Sequence, residues 1–117
     1  MKIIMIDGEK QRTPIDIYDH FSRELSFGPY FGKNADALYD FMTPIDDEYQ
    51  PLIVEWRNSS VFKNSYPEEF SRLLSTLKNI DKFYGFKESF FKFNFFDDGD
   101  MRFFIKKDEV LISFVTM

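Results

Sequence analysis

The chain has 117 residues, a formal net charge of −5 at pH 7, a pI near 4.8, 16 phenylalanines and no cysteine. That length suits one domain with a single core, and the acidic balance argues against nucleic acid as a direct ligand, since phosphate binding needs clustered Lys and Arg. Without cysteine there is neither a disulfide nor a thiolate metal site, so a reducing compartment, by default the cytoplasm, is expected.

The opening MKIIMIDGEK has an apolar run too short for a signal-peptide core, and no segment approaches membrane-spanning length, so the chain is expected to stay where it is made. Residues 3–6 form a continuous apolar run ended by Asp7-Gly8, which reads as a strand buried on both faces and closed by a turn. TPIDIYDHFSREL then carries Thr13 as N-cap, Pro14 at the first helical position, Asp16 three residues after the cap, and Ile17, Phe21 and Leu25 spaced by four. Gly28 is expected to end that helix and Pro29 to keep it from resuming.

YFGKNADALYDF, residues 30–41, predicts a second helix capped by Asn34. Asp36 suits the positive first turn of its dipole. Asp40 follows one turn later on the same face, beside Tyr39, where no capping argument accounts for it. Between Asn34 and Val54 the acids Asp36, Asp40, Asp46, Asp47 and Glu48 stand without a single Lys or Arg, which makes a local negative field suited to a basic partner. Pro44 stops the helix.

PLIVEW, residues 51–56, reads as a second buried strand, and the helices before it make a right-handed β-α-β crossover joining a parallel pair. Ser65 and Glu68 suggest a second capping box, followed by Phe70, Leu73, Leu74, Leu77 and Ile80 at helical spacing over residues 67–83. From Phe83 onward lie ten of the 16 phenylalanines. SFFKFNFF, MRFFIK and VLISFV read as three strands separated by DDGD and KKDE, an antiparallel β-meander that extends the parallel sheet. The fold class expected is therefore α/β, in one domain over residues 1–117, with a helix-packed core over 1–86 and a Phe-rich β extension over 87–117.

Enzyme chemistry finds little support. His20, the single histidine, has no Cys, nucleophile elbow or phosphate loop to partner it, and reads as a solvated helix residue. Asp36 and Asp40 on a convex helix lack the enclosing pocket that a carboxylate pair needs for acid–base work. DDGD lacks the later ligands of a calcium loop and reads as a hairpin turn around Gly99. Asn58-Ser59-Ser60 matches a glycosylation sequon, which has no meaning without secretion. No catalytic residue, metal site or cofactor is expected. Acids aimed outward with tyrosines among them instead read as a recognition surface for a basic pocket on another protein, and surplus phenylalanines could meet a second copy of the chain.

PYFGKNADALYDFMT followed by PLIVEWRNS, together with IIMIDGEKQR at the start, resembles the barstar family of intracellular inhibitors of barnase-like ribonucleases. The similarity runs from residue 2 to about 83. It implies that the acidic helix and the loop before it enter the active site of a basic ribonuclease, as an immunity protein or antitoxin would, in a one-to-one complex without direct nucleic acid or membrane contact. Matched motif to motif, Asp40 takes the place of the substrate phosphate, Asp36 is the second acid, and Tyr30 covers the base-binding end. Gly32 and Asn34 are loop positions that let the backbone approach, Tyr39 falls where members often carry tryptophan, and Ala35 and Thr43 complete the contact set. The family carries a further acid on its last helix; here the apolar register puts that position near Thr76, with Lys78 close by and no acid until Asp81, so this contact is not carried over. The alternative is an interaction module on the same fold that binds a partner other than a nuclease through the C-terminal meander.

Overall fold

The computed structural model describes residues 1–97, 101–106 and 109–111, with side chains to residue 95. In chain order the elements are β1 (Lys2–Asp7), α1 (Pro14–Leu25), α2 (Ala35–Met42), a 3₁₀ turn (Asp47–Tyr49), β2 (Leu52–Arg57), α3 (Ser59–Ser65), α4 (Pro67–Phe83), β3 (Phe91–Asp97), β4 (Met101–Lys106) and β5 (Glu109–Leu111). Strands β1, β2 and β3 form a parallel sheet in that order, with Ile4 opposite Val54 and Val54 opposite Phe93. Two successive right-handed crossovers stepping the same way across a sheet put all their helices on one face. The side chains agree: Ile4, Ile6, Leu52, Val54, Trp56, Phe91, Phe93 and Phe95 share a face, all are buried, and they meet Phe21, Leu38, Phe62, Leu73, Leu77 and Ile80 from the helices.

This one-sidedness corrects two expectations. β1 is not buried on both faces, because Ile3 and Met5 point away from the helices and are 44% and 47% exposed. The strand at residues 91–97 does not join the parallel sheet in antiparallel fashion; it is the third parallel strand, reached through α3 and α4, and the antiparallel pairing begins only after it. Beyond it, β4 pairs antiparallel with β3, and β5 with β4. The proposed turns at DDGD and KKDE and the end of VLISFV fall largely outside the described residues.

The capping chemistry read at α1 is present in full, with Thr13 Oγ1 accepting from the Asp16 N–H and Asp16 accepting from the Thr13 N–H. Its end comes earlier than Gly28. Ser26 takes the left-handed conformation at φ 54°, and the N–H groups of Ser26 and Phe27 both turn back to Ser22 O, so that Phe27 can pack on Phe31 and Phe41. The Ser65 capping box does not form. Ser65 closes α3, a seven-residue helix with no side-chain cap, and Tyr66 is the hinge into α4, where Pro67 occupies the first turn. His20 is not merely solvated either, since its Nε2 lies 2.8 Å from Met5 O on β1, covering a carbonyl of an edge strand.

Gly8 fixes how closely the ends of β1 and β2 approach. Its N–H donates to Arg57 O at 2.8 Å, and a Cβ there would lie 2.0 Å from Asn58 O. Asn58, left-handed at φ 52°, donates from Nδ2 to Asp7 at 3.0 Å, and that bond, with the Glu9 N–H, holds the Asp7 carboxyl below its usual range.

Candidate protein-binding site on α2 and its preceding loop

The loop between α1 and α2 is built to hold one tyrosine outward. Phe27, Phe31 and Phe41 form a triangle of rings 4.9 to 5.2 Å apart, and Phe31 also meets Tyr18 edge-on at 6.4 Å. Tyr30 sits between those anchors in sequence and is 92% exposed. An aromatic of that size left in water beside a packed cluster is a feature of recognition surfaces. Lys33, left-handed at φ 52°, reaches back to Asp19 at 3.0 Å and ties the loop to α1. The same bond engages the one cation near the start of α2, so it does not neutralise the acids that follow.

Asn34 caps α2 as its sequence suggests. Oδ1 accepts from the Ala37 N–H at 2.8 Å while Nδ2 donates to Gly32 O at 3.2 Å, joining loop and helix in one rigid corner. Gly32 is not left-handed, and a Cβ at that position would make only ordinary contact with Ala37 and Asn34, the nearest atom at 3.4 Å. Nothing among the described residues requires glycine there.

Along α2, Leu38 and Met42 are buried against the core while Asp36 and Asp40 are exposed one turn apart. Among the described residues neither carboxylate has a hydrogen bond or ion pair. Tyr39 is half-buried on the cluster's edge. Thr43 Oγ1 donates to Tyr39 O at 2.6 Å and so finishes the helix. The Ala35 methyl is buried against the core. The far end of α2 is clamped by Tyr84, a residue the sequence reading passed over: its hydroxyl donates to Met42 O at 2.6 Å and accepts from the Ile45 N–H at 2.8 Å. Burial raises the phenol above its ordinary range.

The acids do not stand on a bare convex surface. They border an open groove of about 670 Å³ between α2 and α4, lined by Asp36, Tyr39 and Asp40 on one side and Thr76, Asn79, Lys82 and Phe83 on the other. Thr76 lines the groove opposite α2, and the cation in the groove's lining is Lys82. No acid of α4 lines it; Asp81 is buried on another side of the helix, and desolvation, aided by the Glu88 charge, pushes its carboxyl up to about 6. Residues 76, 79 and 83 follow helical spacing beside the apolar stripe of Leu73, Leu77 and Ile80, a signal available in the sequence once α2 is known to lie there.

The sequence pattern of barstar, described as a barnase inhibitor, matches residues 1–97, from β1 through β3. The chain belongs to the barstar family. It is also 33% identical, over 72 residues covering 59% of this chain and 77% of the relative, to a Bacillus subtilis (strain 168) protein named "Putative ribonuclease inhibitor YrdF". The family match takes in the whole parallel sheet and all four helices, hence every residue of the loop, of α2 and of the groove. Among the described residues there is no group of three His, Cys, Asp or Glu side chains that could hold a metal ion, and no helix long and apolar enough to cross a membrane.

Proposed function

We propose that this barstar-family chain is a non-catalytic inhibitor that closes the active site of a barnase-like ribonuclease with α2 and the loop before it, one inhibitor to one enzyme. The observation that carries this reading is the pair of exposed carboxylates, Asp36 and Asp40, on a helix capped by Asn34 and clamped by Tyr84, with no partner among the described residues. A ribonuclease must hold a polyanion and therefore presents cations where its substrate phosphates bind. Asp40 takes the place of one such phosphate, Asp36 engages a neighbouring basic group, and Tyr30 stacks over the base-binding end. Gly32 lets the enzyme approach the loop backbone, and Tyr39 packs at the rim. A cytoplasmic antitoxin or immunity role, protecting the cell from a delivered or secreted nuclease, follows from that activity.

The preformed corner matters energetically. Side chains ordered before association lose less freedom on binding, and unpaired acids steer a cationic enzyme toward the site. Titrating a panel of barnase-like ribonucleases with the wild type should give stoichiometric inhibition of at least one member. Asp40→Ala should weaken that complex by about 3 kcal/mol or more, because it strips one partner from a desolvated charge pair, with an unchanged unfolding midpoint. Wild-type affinity in the variant would sink the assignment of Asp40, and failure to inhibit any nuclease would sink the function.

A further inference from the structure

The two walls of the groove carry opposite charge. On the α2 side are Asp36 and Asp40; on the α4 side the one charged residue is Lys82, set among Thr76, Asn79 and Phe83. Tyr84 joins the C-terminal end of α4 to the C-terminal end of α2, which places Lys82 and Phe83 toward the Asp40 end. Yet Lys82 makes no ion pair with Asp40 or with any other acid among the described residues, and it is exposed. A lysine in the last turn of a helix is favoured by the dipole wherever it points. That preference does not account for its lying on the groove beside an unpaired carboxylate, next to Phe83, which is 50% exposed.

We infer that Lys82 sets partner specificity at this groove: it admits a nuclease that brings cations to Asp36 and Asp40 and a carboxylate to α4, and it disfavours one whose rim is cationic throughout. This rests on the inhibitor reading above and deepens it. A cation that reaches Asp40 and has a cationic neighbour on the α4 side sets that neighbour against an ammonium, and like charges brought together in an interface are strongly unfavourable. A carboxylate in the same place pairs with Lys82, while Thr76 and Asn79 add no competing charge. Phe83 supplies an apolar wall that reduces the water between them.

The probe is barnase disabled in catalysis by mutation, and its affinity is measured for the wild type, Lys82→Gln, Lys82→Glu and Lys82→Glu with Asp40→Ala, at low ionic strength and in about 1 M salt, where screening acts within about 3 Å. Because Lys82 is exposed, all four proteins should fold, the Lys82→Glu variants within about 1 kcal/mol of the wild type, the size of the helix-dipole interaction they lose. The expected result is binding about tenfold tighter for Lys82→Glu than for the wild type at low salt, an intermediate value for Lys82→Gln, most of the gain lost in high salt, and loss of binding when Asp40→Ala is added. Unchanged or weaker binding by Lys82→Glu overturns the inference, as does the absence of binding by both wild type and Lys82→Glu. The inhibitor reading fails separately, when the wild type inhibits no nuclease of the panel or Asp40→Ala leaves a measured affinity untouched.

Discussion

Asp81 is an acid placed where an acid is unfavourable, and replacing it should make the protein both more stable and less sensitive to pH. The residue is 5% exposed on α4, and burial, with the Glu88 charge adding to it, raises its carboxyl from the ordinary 3.8 to about 6. The folded chain therefore holds this proton more tightly than the unfolded chain, and stability falls as pH rises from about 4 through 6, then levels off once both states are ionised. At about 1.4 kcal/mol per pH unit the full rise would be worth about 3 kcal/mol. Solvent near the carboxylate screens part of it, so about 1 to 2 kcal/mol is expected at pH 8. Asp81→Asn keeps the shape and removes the charge. Urea unfolding of both proteins at pH 4 and pH 8 should show them within about 0.5 kcal/mol at the lower pH and the variant ahead by about 1 to 2 kcal/mol at the higher. Equal midpoints at pH 8, or a gain of the same size at both values, would refute the reasoning.

Tyr84→Phe should cost about 1 to 2 kcal/mol in urea unfolding, because it leaves Met42 O and the Ile45 N–H without their shared hydroxyl. Slower hydrogen exchange at the end of α2 in that variant would contradict the clamp. Gly8→Ala should destabilise by about 2 to 3 kcal/mol, since its Cβ would lie 2.0 Å from a backbone oxygen of Asn58 and the β1 and β2 ends would have to part; an unfolding midpoint equal to wild type would show that this approach is not tight. Gly32→Ala is the opposite case: stability should stay within about 0.5 kcal/mol, because the added methyl meets only ordinary contacts, while nuclease affinity measured by inhibition should fall about tenfold or more. Unchanged affinity would remove Gly32 from the contact surface.

Much of the molecule follows from local chemistry that the sequence writes down directly. Thr13 with Asp16, and Asn34 with the Ala37 N–H, are contacts between residues three apart, so spacing alone announces α1 and α2. The same spacing sets Asp36 and Asp40 on one face of α2, with no cation between Asn34 and Val54 to neutralise them. The motifs from Pro29 to Thr43 and from Pro51 to Ser59 likewise carry the family resemblance without any knowledge of packing. Which face of β1 is covered could not be read this way, since Ile3, Ile4, Met5 and Ile6 are all apolar; the side was decided when both crossovers placed their helices together. α3 carries no sequence signal because it is seven residues long without a side-chain cap, and its burial in the core rests on Phe62 and Ser59. The groove, with Lys82 facing Asp40 and Tyr84 clamping α2 across some forty residues of chain, exists only once α4 lies beside α2. Helix period and capping fix what a segment can be, whereas long-range burial chooses its neighbours, and it was that choice that set a lysine against the two acids.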